Sequence, residues 1–544
     1  MGGDIQKPAN EQETEQDIAK KVEARAAELL PGIVPDPLDP LFIKGCLDGN
    51  ERGDGCLAAT LFKDRFLLNV TRQTREPEWY SWQGNVWKMD VFRESLNAVE
   101  ECARAYAGQA LQLDLEVKKK KIDKKHPDYG WKVRLRDKYT QRVDKLRTEA
   151  GMKKALSMAA IVDKTLACEE TDFNHAPWLL PAANGVIDLK TGALIKGNPA
   201  DRMTKSLSVA YDPRADYRPY LDFMHEVSGS ADMVDFQKRS FGCACTGFSL
   251  EQYLWIYIGH GRNGKGVLFN LIADVLGPYY HEISRAMILE QRNEPSANAA
   301  SEHKYSLLHK RMIVAAETNK GQKIDGAAIK ALTGQNHITC RPNFSSEISF
   351  FPTHSTFLQT NNFPTGLTRG FSLAERMLII EFPYMFVDDP EEMKRKFPVL
   401  AEKFRKKDPK LYEKLSEFKP GILRWMVEGC LEWQQIGLKP PPQVLDRVAA
   451  LAKEEDYVGR FIEDCMDLWP DRPDVRVHCS VMYEVFKFWC SENSEWSDRA
   501  LPHMKTVTKQ LREKGYEVIA SGGRTYVHRM TVKLDVVSSM QENK

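Results

Sequence analysis

YLWIYIGHGRNGKGVLFNLIADVLG, residues 253–277, joins an apolar run to a glycine-rich turn and then to an amphipathic stretch. Tyr253 to Ile258 is rich in β-branched and aromatic residues and predicts a buried strand, and apolar residues recur at helical spacing after Lys265. The turn between them, Gly259-His-Gly261-Arg262-Asn263-Gly264-Lys265-Gly266, fits the pattern G-x-x-x-x-G-K in its required strand and helix context. Glycines let the backbone wrap closely, so that successive N–H groups and the helix N-terminus face phosphate oxygens, while Lys265 supplies a positive charge. Gly259, Gly261, Arg262, Asn263, Gly264, Lys265, Gly266 and Val267 are therefore the candidate nucleotide contacts. Gly266 stands where Ser or Thr usually contacts Mg²⁺, which leaves the cation to water, acidic residues or the nucleotide.

Outward from this segment, three further strands are flanked by polar residues. The run from Arg311 to Ala316 ends in Glu317, the candidate carboxylate for Mg²⁺ or for the attacking water. Thr356 to Thr360 is followed by Asn361, whose amide suits holding water or sensing a phosphate. Arg376 precedes the strand Met377 to Ile380, where an arginine suits the phosphate of a neighbouring subunit. Short β-like runs alternating with amphipathic stretches between about 220 and 450 give an α/β core.

In chain order, NGVIDLKTGAL (184–194), GHGRNGKGV (259–267), RMIVAAET (311–318), IKALTGQNHITCRPNF (329–344), FLQTNNFP (357–364) and ERMLIIEF (375–382) resemble the motifs of superfamily 3 helicases. Specifically, they resemble the helicase region of satellite-phage and plasmid primase-helicases related to the poxvirus helicase-primase, over roughly residues 165 to 530. The resemblance implies an AAA+-like ATPase core that binds ATP and Mg²⁺. It implies Glu317 in the second acidic strand, Lys330 in the motif that follows, Asn361 as sensor and Arg376 as the finger. It further implies a hexameric ring with single-stranded DNA in the pore, and a hairpin after His337 that tracks phosphates, which makes Lys330, Arg341 and Asn343 candidate DNA contacts. One acid followed by Thr318, in place of an acidic pair, departs from the family pattern.

The chain has 544 residues, 42% of them hydrophobic, and its 77 basic against 76 acidic side chains leave a net charge of +1. That excludes a uniformly basic or acidic protein, so any nucleic-acid surface is a local patch. One such patch spans Leu501 to Lys533, where seven basic residues face Glu513 and Glu517. Lys505, Lys509 and Arg512 share a helical face there, and Arg524 sits at the turn SGGR. The order helix (FIEDCMDLW), helix (SVMYEVFKFWCSE), helix (MKTVTKQLREKG), then hairpin predicts a C-terminal winged-helix domain that binds duplex DNA. A second basic run, Lys118 to Lys121 with Lys124 and Lys125, suits either a solvated helix face or nucleic acid.

The expected organisation is a flexible tail over 1–40, a helical and mixed α+β region over 41–165, and a poxvirus-primase-like helicase-associated domain over 166–235. The ATPase core follows over 236–450 and the winged helix over 457–535. An aromatic hairpin is expected around Gly84-Asn85, and a second one in NGVIDLKTGAL. Eleven scattered cysteines without a C-x-x-C pair suit a reducing cytosol, here that of a bacterial host carrying a phage or prophage. No signal-like or membrane-spanning segment is expected. The leading expectation is a replicative ATP-dependent DNA helicase without a primase, because residues 41–165 offer no D-x-D with a following histidine strand. Alternatives are a primase-helicase with a priming site in that region and an origin-binding initiator ATPase with little turnover. Other replication proteins are possible partners.

Overall fold

The computed structural model describes residues 39–71, 77–119, 122, 124–162, 166–290, 301–316, 322–342, 347–363, 371–493 and 501–542. These fall into two compact units, one running to His175 with Gly197–Thr204 added, the other made of Ala176–Lys196 and the chain from Lys205 onward.

In the first unit Asp39 caps helix α1 (Pro40–Asp48) through a 3.1 Å bond from the Leu41 N–H. Proline at the first helical position has no N–H to lose, so Pro40 starts a helix where the sequence suggested the end of a tail. Helix α2 (Asn50–Phe62) leads into strand β1 (Phe66–Asn69), and β2 (Glu78–Trp82) and β3 (Trp87–Met89) form the expected aromatic hairpin with Gly84 at φ +84°. Helices α3 (Glu94–Lys119), α4 (Tyr129–Leu146) and α5 (Glu149–Val162) pack on α2 around Phe62, Tyr106, Tyr139 and Ala159. Strand β4 (Ala167–Cys168) completes a sheet of order β3-β2-β1-β4.

The second unit opens with the meander β5 (Leu179–Ala182), β6 (Gly185–Asp188) and β7 (Ala193–Ile195), which contains the hairpin expected in NGVIDLKTGAL. Helices α6 (Arg218–Ser228) and α7 (Ala231–Ala244) precede strand β8 (Leu254–Ile258), and helix α8 (Lys265–Leu276) follows it. Next come β9 (Tyr280–Ile283), β10 (Met312–Ala316), α9 (Gly326–Thr333), β11 (Ile338–Cys340), β12 (Ile348–Phe350), β13 (Ser355–Thr360) and β14 (Met377–Glu381).

Five of these strands make one parallel sheet of order β14-β8-β13-β10-β9. A parallel sheet is covered on both faces, and β8 divides accordingly. Trp255 and Tyr257 join Phe357, Phe269 and Phe241 on the face of α7 and α8, and Leu254 and Ile256 join Ile313, Leu358 and Ile329 on the face of α9. The protein is a mixed α/β molecule built on a parallel sheet, and no described helix is long and apolar enough to cross a membrane.

Strands β15 (Met385–Val387) and β16 (Phe404–Lys406) pair in parallel beyond β14. Helix α10 (Lys419–Ile436) lies against α7, and α11 (Pro442–Glu455) begins at the proline run read as a break. The C-terminal part comprises α12 (Tyr457–Cys465), β17 (Met466–Leu468), β18 (Arg476–His478), α13 (Cys479–Glu492), α14 (Met504–Glu513), β19 (Val518–Ser521), β20 (Arg524–His528), β21 (Met530–Val532) and α15 (Leu534–Glu542). The expected helix FIEDCMDLW stops at Cys465, because Met466–Leu468 pairs antiparallel with β21. Strands β18, β20 and β19 form a three-stranded antiparallel sheet.

Helices α7 and α10 touch backbone to backbone. A methyl group on Gly242 would lie 2.1 Å from the Cys430 nitrogen, and one on Gly429 would lie 2.1 Å from the Lys238 carbonyl oxygen. Two helices cannot separate locally to admit a methyl without disturbing their neighbours. Gly242→Ala is therefore expected to destabilise the fold by about 1–3 kcal/mol, read as a lowered thermal midpoint. An unchanged midpoint would show that the seam yields.

Candidate functional site

The loop between β8 and α8 leaves the carboxyl end of a central strand, where the chain order of the sheet reverses and open α/β sheets take their ligands. Gly261, Arg262 and Gly264 have φ of +86°, +50° and +87°. At Gly264 a side chain is doubly excluded, by the left-handed backbone and by Val227 Cγ1 at 2.7 Å from a would-be Cβ. This backbone turns the N–H groups of Arg262, Asn263, Gly264, Gly266 and Val267 away from any acceptor among the described residues.

Lys265 is the first residue of α8 and is only 3% exposed. Its ammonium donates to the Gly259 carbonyl at 2.9 Å, to Asn263 Oδ1 at 3.2 Å and to Asn361 Oδ1 at 3.1 Å. All three acceptors are neutral oxygens, so among the described residues no carboxylate offsets the loss of hydration, and burial draws the lysine down to about 8. Asn263, 4% exposed, leaves its Nδ2 buried without a partner among the described residues. Unmatched donors around a desolvated cation form a site suited to an anion. Gly266 has open space around its α-carbon.

The structure thus brings Lys265 and Asn361 together across 96 residues of chain. Glu317 follows the last residue of β10 and lies, with Thr318, outside the described residues. Among the described residues no group of three or more His, Cys, Asp or Glu side chains is placed to hold a metal ion.

Arg376 is not near this loop. It immediately precedes β14, and Met377 pairs with Leu254 whereas Glu381 pairs with Ile258. That places it at the opposite edge of the sheet, about 16 Å of strand away at roughly 3.3 Å per residue. It is half-buried and donates to Thr333 Oγ1 at 3.3 Å, with no carboxylate partner among the described residues.

Thr333 ends α9, the helix that carries the exposed Lys330. Strands β11 and β12 pair antiparallel as expected of the hairpin, with Arg341 to Glu347 between them in the chain. Arg341 is exposed and its backbone exchanges 2.9 Å bonds with Ser301, while Asn343 lies outside the described residues. Lys505, Lys509, Arg512 and Arg524 are all exposed. Of the wider basic stretch, Lys509 pairs with Glu513 at 3.7 Å, Arg529 with Glu517 at 3.5 Å, and Lys514 with Asp456, so its free charge is smaller than the sequence suggests.

The sequence reading missed the half-buried Tyr384 and Arg405. Tyr384 lies between two backbone contacts to the loop, the Phe382 N–H donating to Ile258 at 2.8 Å and the Phe386 N–H donating to Arg262 at 2.7 Å. The Arg405 guanidinium lies over the Tyr384 ring at 4.1 Å. No motif spacing points to them, because Arg405 arrives through the short parallel pairing of β15 with β16.

A mixed α/β protein with this loop has known relatives. Residues 59–229 match the family model described as D5 N terminal like, which meets the resemblance to the primase-helicase family and begins about a hundred residues before the motifs that suggested it. The chain is also related to viral proteins that bear the name of candidate helicases. It is 22% identical over 456 residues to one of Acanthamoeba polyphaga mimivirus, covering 82% of this chain and 46% of that protein. A relative in Frog virus 3 (isolate Goorha) is 24% identical over 269 residues, 48% of this chain and 26% of its own length. One in the Sputnik virophage is 24% identical over 229 residues, 41% and 29% respectively. The chain spans less than half the length of each. Among solved structures, the apo form of the NrS-1 C-terminal region is 8% identical with a TM-score of 0.41, covering 87% of this chain and 97% of that one.

The buried lysine sets a pH dependence. An anion bound at the loop favours the charged ammonium, so binding should take up protons as pH rises through about 8, and affinity should fall above that pH by up to about ten-fold per unit. In the free protein the unfolded lysine holds its proton longer, so this group's destabilising effect at low pH fades between about 8 and its ordinary 10.5. Titration calorimetry with inorganic tripolyphosphate at pH 8.5, in two buffers of different ionisation heat, is expected to show uptake that Lys265→Ala abolishes.

Proposed function

We propose that this chain is an ATP-dependent DNA helicase of the superfamily 3 type, acting in the replication of a phage, prophage or plasmid as a ring of identical subunits. The observation that carries the reading is the Lys265–Asn361 hydrogen bond, which joins the loop lysine to the polar end of the adjacent strand. Numbered along the chain, the sheet order is 5-1-4-3-2, which supports an AAA+-like core. The unmatched N–H groups and Asn263 Nδ2 fit a polyphosphate held by donors, with Lys265 against its terminal oxygens. When bound, ATP supplies the transferable phosphoryl group and Mg²⁺ neutralises its charge. Glu317 is the residue to withdraw a proton from water, and Asn361 the one to orient that water. Without a hydroxyl at Gly266, the cation depends on the phosphates, water and carboxylates such as Glu317.

Arg376 supports the ring. In one chain it lies at the edge of the sheet away from the loop, so it meets a phosphate only across a subunit boundary. DNA contacts fall to Lys330 and Arg341 on one side, and to a C-terminal winged helix on the other. Helix α14 exposes Lys505, Lys509 and Arg512, and Arg524 leaves the β19–β20 turn.

Lys265→Ala and Arg376→Ala are each expected to abolish most ATP hydrolysis, the arginine by roughly 10³-fold or more. Mixing the two inactive variants should restore part of it, because an intact lysine then faces an intact arginine at some interfaces. Shared rings with no recovery at any ratio would overturn the trans assignment. For duplex DNA, Lys505→Ala with Arg512→Ala should weaken binding and flatten the salt dependence of log K by about 2, one unit for each phosphate that is no longer neutralised. An unchanged slope would remove α14 from the interface.

A further inference from the structure

The phosphate site has a direction. Asn361, on the β13 side of β8, marks where the terminal phosphate of a bound nucleotide belongs. The rest of the nucleotide must leave toward the other neighbour of β8, which is β14 and the chain that continues from it. Tyr384 lies on that chain. Phe386, two residues on, is bonded to the loop at Arg262, so the Tyr384 Cα lies within about 7 Å of the Phe386 Cα. Gly229, just past α6, is exposed, and a methyl built on it would lie 3.9 Å from the Tyr384 ring. On one ring face sits the Arg405 guanidinium, anchored by carbonyls of Glu402 at 2.6 Å and Phe404 at 3.1 Å and paired with no carboxylate among the described residues. A half-buried tyrosine with an arginine held over its ring beside a phosphate loop presents flat, polarisable surface, which is what a nucleobase stacks on.

We propose that Tyr384 and Arg405 form the base-stacking end of the nucleotide site, so that a purine is recognised by its flat face. The inference rests on the phosphate-loop reading and adds to it the part of the ligand that the loop does not touch. A stacking surface favours purines over pyrimidines by area and separates ATP from GTP weakly.

The test measures binding of ATP and of inorganic tripolyphosphate to the full chain by calorimetry. The wild type is expected to bind both. Tyr384→Ala should weaken ATP about ten-fold and leave tripolyphosphate unchanged, and Tyr384→Phe should behave as wild type. Equal weakening of both ligands, or no change in either, would overturn the base site. Should Tyr384→Ala not fold, Arg405→Ala carries the same expectation with a reduction of about five-fold for ATP alone, and unchanged ATP binding would overturn it. A wild type that binds neither ligand would sink the phosphate-loop reading itself, which is distinguishable from a base site that fails while tripolyphosphate still binds.

Discussion

An ammonium group drawn out of water into a nest of neutral oxygens is the constraint around which the larger unit is arranged. Lys265 reaches its partners only because the loop adopts three left-handed residues, and the loop keeps them only because β8 ends where β13 and β14 flank it. The three oxygens satisfy the hydrogens of the ammonium but not its charge, and burial lowers its proton affinity accordingly. Donors gathered around a desolvated positive charge suit an anion.

The parallel sheet then separates two kinds of electrostatics. Its carboxyl edge presents N–H donors, Lys265 and Asn361, and its amino edge presents Arg376 beside α9 and Lys330. One chain cannot fold these edges onto each other, because strands about five residues long hold them apart. Under the proposed function it is a second copy that brings the arginine at one edge to the loop at the other.

Much of this was legible in the sequence wherever a local rule was strong. The run Tyr253 to Ile258 followed by glycines and an apolar helical pattern gave strand, loop and helix within a residue or two, and Gly522-Gly523, with φ of +58° and +76°, marked the C-terminal hairpin turn. Weak local signals misled. Met466–Leu468 reads as helix by composition and becomes strand because a partner far along the chain, Met530–Val532, supplies hydrogen bonds. The sequence reading found no chemical motif in the first unit, so the part of the match that precedes NGVIDLKTGAL had no residue-level signal to announce it. Tyr384 and Arg405 were invisible for a related reason, since two short helices, Pro390–Lys396 and Pro398–Lys403, separate them and the β15–β16 pairing brings them together.

Gly264 is pressed against Val227, the penultimate residue of α6. A side chain at Gly264 would have to displace Val227, and α6 leads through Gly229 and Ser230 into α7, which is itself packed backbone to backbone on α10 at Gly242. The backbone of the loop and the seam between the two helices are thus held by one continuous run of close contacts, in which three glycines leave no room for a methyl group.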